Sequence, residues 1–244
     1  MKYIIVIIIA FFMCILQGCE PNNRTERDTV QVHNSYNICL ILDGTDRLTE
    51  ENGVPQLSLD EIEYFAQKIS DNGKGTLYVT YVDNNCDNNQ VAIFEWLEDK
   101  PVEHGEKLSY MKMLEYKKQQ EEEDVIKNAY ACRKNSALNE FLNQCSVVHE
   151  LAYSDIVARQ KKGSDVNGAI NQASRLLRAS RVEGIRSYII LVSDGCDNVG
   201  KVLENIEEET ELIIVNSNVT KHHFHEYVSK EFVSLKQVIN YVFI

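Results

Sequence analysis

The sequence predicts an α/β protein with a mostly parallel central sheet and helices on both faces. Two short apolar runs, residues 38–42 and 188–192, each end at a polar turn, which is typical of buried parallel strands. Other segments repeat apolar residues every three to four positions, which is typical of helices that pack one face against a core. The alternation of strands and helices favours parallel strands joined by helical crossovers.

The same patterning assigns elements, in chain order, to most of the sequence after residue 36. The predicted strands are residues 38–42, 76–82, 91–96, 186–192, 212–215 and 232–233. The predicted helices are residues 59–70, most of 106–160, 165–180, 202–209, 222–229 and 235–242. A turn at 84–89 separates strands 76–82 and 91–96, so we expect this pair to form a hairpin.

The helix over residues 59–70 carries the clearest start and stop signals. Ser58 is an N-cap residue, and Glu61 three positions later completes a capping box. The sequence Asp71-Asn72-Gly73 is a stop signal, because glycine tolerates the backbone conformation that ends many helices. We therefore expect a helix with one buried face between these two signals.

Composition limits the possible partners. The chain has 244 residues, enough for one sizeable domain, and a formal net charge of -12. An acidic surface repels phosphate backbones, so we expect no nucleic-acid partner. The charged run 117–124 inside the long helical segment is predicted to be a solvated face.

The N-terminus is predicted to be an export signal. Lys2 precedes an apolar stretch over residues 3–16, which is too short to span a bilayer comfortably but normal for a signal core. Leu16-Gln17-Gly18-Cys19 then resembles the lipobox of bacterial lipoproteins, which implies lipidation of Cys19, although Gln17 is a less usual residue there. The alternative is an uncleaved N-terminal membrane anchor.

These features divide the chain into three parts. Residues 1–18 are the predicted lipoprotein signal peptide, 19–35 a polar tether, and 36–244 one α/β domain with a long helical segment at about 106–160. The predicted location is the cell envelope, with a lipid anchor in a membrane outside the cytoplasm.

Cysteine usage supports no zinc ribbon or thioredoxin-like site, because the chain contains no CxxC pair. Five cysteines follow the signal segment: Cys39, Cys86, Cys132, Cys145 and Cys196. Five is an odd number, so at least one is expected to stay free or to pair between chains. Cys39 lies in a predicted strand and is expected to be a small buried hydrophobe.

Polar groups that suit a cation follow two of the predicted strands. Asp43-Gly44-Thr45-Asp46-Arg47 comes directly after the first strand, and Ser193-Asp194-Gly195 comes directly after strand 186–192. Ligands of open α/β sheets bind beyond the carboxyl ends of such strands. Carboxylates with neighbouring hydroxyls are suitable ligands for a hard divalent cation.

Together with Gly163-Ser164-Asp165 and the following Gly168-Ala169-Ile170, these segments resemble the three conserved loops of the von Willebrand factor A (vWA) domain. The resemblance covers about residues 36–244 and implies a vWA-like, Rossmann-like fold. It also implies a metal-ion-dependent adhesion site for Mg²⁺ or Mn²⁺. The residues that match the family's ligand positions are Asp43, Thr45, Ser164 and Asp194.

Arg47 departs from the family pattern, because it stands where a second serine hydroxyl is expected. A guanidinium has no acceptor and repels a nearby cation. Asp46 beside it could either offset that charge or point into the site. Magnesium keeps several waters in protein sites, so the loss of one ligand is compatible with binding.

The resemblance implies a non-catalytic lipoprotein that binds a protein or surface ligand, whose carboxylate completes the metal shell. The alternative is a scaffold or assembly subunit with a vestigial metal site and contacts made by the 106–160 helices. A phosphatase of the haloacid-dehalogenase type is disfavoured, because Thr45 stands where its second aspartate is required.

Two other patterns carry weaker hypotheses. His222 and His225 share a predicted helix face and are a candidate transition-metal pair, though surface histidines at a helix start are more common. Ser193 has no visible His-Asp set, so nucleophilic catalysis is not predicted.

Overall fold

The computed structural model describes residues 34–44, 54–101, 113–153, 163–180, 185–216 and 228–243. The side chains of residues 34, 113–115 and 228–229 are outside this description. All described residues belong to a single compact unit, His33–Ile244. The predicted signal peptide, tether and lipidation site lie in residues 1–35, of which only 34 and 35 are described.

Six strands and four helices make up the described part of this unit. In chain order they are β1 (Asn34–Leu42), α1 (Leu59–Asn72), β2 (Gly73–Tyr81), β3 (Ala92–Trp96), α2 (Met113–Tyr153), α3 (Val166–Ala179), β4 (Arg186–Val192), β5 (Thr210–Val215), β6 (Val228–Phe232) and α4 (Leu235–Val242). A short 3₁₀ turn, Cys86–Asn88, lies between β2 and β3.

The strands form a single sheet in the order β3-β2-β1-β4-β5-β6. All neighbours are parallel except β2 and β3, which are antiparallel and confirm the predicted hairpin. Successive strands run outward to one side from β1 and to the other side from β4. This reversal creates a crevice at the carboxyl ends of β1 and β4, the position at which Rossmann-like sheets bind ligands. The predicted fold class is confirmed.

Each face of the sheet has its own hydrophobic core. The residues of β1 belong alternately to one core and to the other, because successive side chains of a strand point to opposite faces of the sheet. Ile38 and Leu40 pack with α1, α2 and α4 on one face, whereas Cys39 and Ile41 pack with α3 on the other. This two-sided burial explains why the central strands are continuous apolar runs rather than alternating ones.

The capping box of α1 is present as predicted. The Ser58 hydroxyl accepts from the Glu61 amide at 3.3 Å, and the Glu61 carboxylate accepts from the Ser58 amide at 2.9 Å. Gly73 follows the last residue of the helix. Local sequence signals therefore specified both ends of this helix.

Helix α2 is 41 residues long and lies within the predicted helical segment 106–160. Its C-terminal half packs on the sheet through Leu138, Phe141 and Cys145. Residues 117–122 and 124 are exposed, and residue 123 is partly exposed, which confirms the prediction of a solvated charged face.

The prediction of a helix over residues 202–209 is wrong, because residues 201–207 have no regular secondary structure. Side chains of α3 bind the backbone here instead. The Asn171 amide group donates to the Val202 carbonyl at 2.9 Å and accepts from the Glu204 amide at 2.8 Å. These long-range bonds satisfy backbone groups that a helix would otherwise use.

The end of the chain also differs from prediction. Ser229, expected in a helix over 222–229, lies in β6, while residues 222–227, with His222 and His225, are outside the described part of the chain. The last strand ends at Phe232 and excludes Val233. As an edge strand with one neighbour, β6 has a polar sequence and lacks the apolar pattern by which buried strands are recognised.

Among the residues described, none of the helices combines the length and apolar character required to cross a membrane.

Candidate functional site

The candidate site lies where β1 and β4 end side by side. Leu42 pairs with Val192 in the parallel register, and the Asp43 amide extends this ladder by donating to the Val192 carbonyl at 3.1 Å. Asp43 and Ser193 are therefore brought together directly beyond the strand ends. The Asp43 residue is only 3% exposed.

Ser193 orients the Asp43 carboxylate. Its buried hydroxyl donates to Asp43 Oδ2 at 2.5 Å and accepts from the Gly195 amide at 2.9 Å. Its carbonyl accepts from the Asn216 side-chain amide at 3.2 Å. Gly195 has φ of 73°, a conformation that glycine adopts readily, which explains its place in this turn.

Asp194 is partly exposed at the mouth of the same turn. Its Oδ1 accepts from the Cys196 amide at 2.8 Å, which is a local aspartate turn. This bond fixes the carboxylate next to Ser193 without burying it. Asp194 is thus placed as the solvent-accessible acidic group of the site.

The backbone of Ser164 is hydrogen-bonded to Asn198 in the loop after β4. The Ser164 amide donates to Asn198 Oδ1 at 2.6 Å, and the Ser164 carbonyl accepts from the Asn198 amide at 3.1 Å. These two bonds join the loop that precedes α3 to the loop that follows β4. The segments that carry Asp43, Ser164 and Asp194 are therefore connected by direct hydrogen bonds.

Asp165 organises the loops around the site. Its fully buried carboxylate caps α3 by accepting from the Gly168 amide at 2.9 Å. Oδ2 also accepts from the Cys86 amide at 3.1 Å and lies 2.8 Å from the Lys201 ammonium. One carboxylate thus connects the loops after β2 and β4 to the start of α3.

The Lys201 ammonium bridges two of these loops. Besides Asp165, it contacts Asp87 at 2.9 Å and Asn85 Oδ1 at 3.1 Å. The Asp165 and Asp87 carboxylates raise the pKa of Lys201 above its ordinary value, Asp165 having the larger effect. The hydrogen bond from Lys201 in turn holds the pKa of Asp87 below its usual value.

Asp197 performs a similar role at the first turn of α3. Its Oδ2 accepts from the Asn167 amide at 2.8 Å, and its Oδ1 accepts from the Gly200 amide at 2.7 Å. A carboxylate at the first turn of a helix is favoured by the helix dipole. The bond fixes the loop after β4 against the start of α3.

The C-terminal end of α2 closes the opposite side of the site. Any side chain at Gly44 would collide with the Ala152 carbonyl, so glycine is required where the chain leaving β1 passes the helix. The Tyr153 hydroxyl accepts from the Leu57 amide at 3.3 Å, and His149 Nε2 lies 2.7 Å from the Leu57 carbonyl. Burial, with a contribution from the Asp43 carboxylate, raises the pKa of Tyr153.

Three of the four predicted metal ligands therefore lie on joined segments: Asp43, Ser164 and Asp194. Thr45, with Asp46 and Arg47, lies outside the described residues, as does Cys19. Sequence reasoning missed Asp165, Asp197, Asn198 and Lys201. Asp165 alone had a local signal, since an aspartate directly before a helical pattern is a typical N-cap.

The donor set fits a hard cation. Within the described residues, no group of three or more His, Cys, Asp or Glu side chains is arranged to hold a metal ion. The predicted set has a different composition, two carboxylates and two hydroxyls. These are oxygen ligands that magnesium accepts together with water. A carboxylate has about four lone-pair sites, so it can make several contacts at once.

Comparison with protein-family models and with curated proteins finds no match for this chain.

Proposed function

We propose that this protein binds a protein or surface ligand through a Mg²⁺ or Mn²⁺ ion held by Asp43, Ser164 and Asp194, with Thr45. The observation that carries the proposal is the pairing of the Asp43 carboxylate with Ser193, directly beside Asp194. This pairing places two carboxylates at the crevice between β1 and β4. The likeness of the three loops to those of vWA domains adds to it.

The Asp43 carboxylate belongs to a buried residue. A carboxylate removed from water is costly unless hydrogen bonds or a cation compensate its charge. The Ser193 hydroxyl supplies Asp43 with one of its hydrogen bonds, and a divalent cation at the crevice would be a further favourable contact. Asp194, which is more exposed, would hold the same ion from the solvent side.

In this proposal the ion keeps an open, water-filled position. Magnesium and manganese sites with few protein ligands retain several waters, and one of these is exchanged for a carboxylate of the partner. Binding would then require the metal and an acidic group on the partner. The proposed role of the site is to bind a ligand through the metal, without a reaction.

The proposed function includes a location at a membrane. A lipidated Cys19 and a polar tether over residues 19–35 would hold the domain near a membrane outside the cytoplasm. Capture of a surface ligand is a suitable task for a domain held in this way.

A second candidate function is that of a scaffold with a vestigial metal site. It is favoured by Arg47, which replaces a hydroxyl ligand, and by the long exposed part of α2. Metal binding separates the two functions, because a vestigial site has no measurable affinity for the ion.

The test uses Mn²⁺ and the relaxation rate of water protons with the full chain in a nonionic detergent. A bound ion with open positions enhances relaxation, and added acetate, a carboxylate without other recognition groups, should reduce the enhancement by replacing water. Asp194→Asn should strongly reduce the enhancement, whereas Glu140→Gln, on an exposed part of α2, should preserve it. Absence of enhancement in the unchanged protein would contradict the proposal.

A further inference from the structure

Three buried polar residues directly follow three neighbouring strands of the sheet. Asp43 comes after β1, Ser193 after β4 and Asn216 after β5, and they are 3%, 0% and 2% exposed. Leu191 lies opposite Ile214 in the parallel register of β4 and β5. Two positions later on each strand, the same register places Ser193 opposite Asn216. Burial of such polar groups is costly unless they make hydrogen bonds.

Hydrogen bonds join these residues into one row along the carboxyl edge of the sheet. The Asn216 main-chain amide donates to the Phe232 carbonyl of β6 at 2.9 Å, which fixes the backbone of Asn216. The Asn216 side-chain amide donates to the Ser193 carbonyl at 3.2 Å, and the Ser193 hydroxyl donates to Asp43. The row therefore begins on β6 and ends on a carboxylate of the candidate metal site.

The middle of this row determines how the Asp43 carboxylate is held. The position of a serine hydroxyl depends on its backbone and on a choice among staggered rotamers. The Gly195 amide donates to the Ser193 hydroxyl at 2.9 Å and so favours one rotamer. Because a peptide group is planar, a hydrogen bond to the Ser193 carbonyl restrains the whole group that links Ser193 to Asp194. Asn216 supplies that restraint from the neighbouring strand.

We propose that Asn216 is a positioning residue of the metal site, which acts through the Ser193 peptide group on the Asp43 carboxylate. The proposal rests on the metal-dependent binding proposed above and extends its site to a third strand. In this role Asn216 holds a ligand residue in place and is not itself a ligand. Removal of groups that support metal ligands typically lowers metal affinity by about 10- to 100-fold.

The first test is the Mn²⁺ affinity of Asn216→Ala, measured with the full chain in a nonionic detergent by electron paramagnetic resonance of the free ion. The substitution removes the donor and should lower the affinity about tenfold. Asn216→Leu keeps roughly the volume of the side chain without its donor. It should give the same loss, and it replaces Asn216→Ala if that variant does not fold.

Asn37 offers a matched control, because it lies on β1 toward the end opposite Asp43. It is also 2% exposed, and its side-chain amide donates to the Leu177 carbonyl at 3.1 Å. Asn37→Ala should therefore destabilise the fold as Asn216→Ala does, but it should leave the Mn²⁺ affinity unchanged. Unchanged affinity in Asn216→Ala, or an equal loss in both variants, would overturn the proposal.

The double variant Ser193→Ala/Asn216→Ala tests the path of the effect. If Asn216 acts through Ser193, the Mn²⁺ affinity of the double variant should be close to that of Ser193→Ala alone. The reason is that the hydroxyl positioned by Asn216 is already absent. Losses of affinity that multiply would show independent effects and would overturn this path.

Urea titration of these variants in metal-free buffer separates the positioning role from the metal function. Absence of Mn²⁺ binding by the unchanged protein would contradict the proposed function. The positioning of Ser193 predicts, with or without metal, that Ser193→Ala costs less stability in the Asn216→Ala background than in the Asn37→Ala background. Equal costs in the two backgrounds would overturn the positioning role of Asn216.

Discussion

The hydroxyl of Ser193 donates to Asp43 Oδ2 at 2.5 Å and joins two strand ends that are 150 residues apart in the chain. The contact depends on the sheet order, because β1 and β4 are neighbours only after the chain has crossed from one side of the sheet to the other. It orients one carboxylate of the candidate site. The stability of the crevice and the proposed binding of a cation therefore depend on the same pair.

Ser193→Ala should destabilise the fold by about 1–3 kcal/mol, because it leaves the buried Asp43 carboxylate without this donor. The measurement is the free energy of unfolding from urea titration. Ser70→Ala is the matched control and should cost less than about 0.5 kcal/mol, because the Ser70 hydroxyl donates to carbonyls within its own helix. Equal costs for the two variants would contradict a special role for Ser193.

Lys201→Met should destabilise the fold by about 1–3 kcal/mol, because it removes the cation from the fully buried Asp165 carboxylate. Arg178→Met removes the cation of an exposed pair with Glu207 and should cost less than about 1 kcal/mol. Urea titration of both variants measures the difference. A Lys201→Met variant as stable as Arg178→Met would show that Asp165 does not need its ammonium partner.

The contribution of Lys201 should also depend on pH. Its pKa is raised in the folded protein by the Asp165 and Asp87 carboxylates, so the stabilisation is fully present below the ordinary lysine pKa of 10.5. The stabilisation is lost as the pH rises through the higher pKa that Lys201 has in the folded protein. The stability difference between the unchanged protein and Lys201→Met should therefore be constant from pH 7 to 9 and shrink in more alkaline solution. A stability difference that grows with pH would contradict the stabilisation of the fold by the Lys201 ammonium.

Gly44→Ala should destabilise the protein by about 1–3 kcal/mol, because the added methyl group collides with the Ala152 carbonyl at the end of α2. The collision involves backbone atoms, which cannot move aside as a flexible side chain would. Urea titration measures the loss, and Gly44→Ser should be at least as destabilising. A neutral Gly44→Ala variant would show that the end of α2 does not approach the chain after β1 at this point.

Cysteine alkylation should distinguish buried from exposed thiols. Burial raises the pKa of Cys86 and of Cys145 to about 12, so little thiolate is present at pH 8. Cys39 is also buried, whereas Cys132 and Cys196 are exposed. Mass spectrometry after iodoacetamide treatment should find only the two exposed thiols of these five modified before unfolding. Rapid modification of Cys39 would contradict the packing of β1.

Much of the fold was predictable because its signals are local. The buried runs of β1 and β4 and the capping box of α1 each depend on residues close in sequence. The exceptions have non-local causes. Residues 202–209 look helical, but side chains of α3 bind their backbone. The polar residues of β6 form a strand because they pair with Ile213 and Ile214 along the edge of β5.

The candidate site was predictable only in part. Asp43 and Asp194 follow apolar runs, so their positions at strand ends could be derived from the sequence. The groups that orient the site act over long distances in the chain, as in the contact of Asn198 with Ser164 or of Lys201 with Asp165. No spacing rule reveals such pairs, because they arise when separate loops meet at the sheet edge.

The most direct test of the proposed function is calorimetric titration of the full chain in detergent with MgCl₂ and MnCl₂. Asp194→Asn keeps the oxygen that accepts from the Cys196 amide but removes the charge, so the turn is preserved. Glu140→Gln removes an exposed charge on α2 and is the control. We predict saturable binding that Asp194→Asn weakens at least about tenfold. Absence of binding up to about 10 mM metal, or equal affinity in Asp194→Asn, would contradict the proposed metal site.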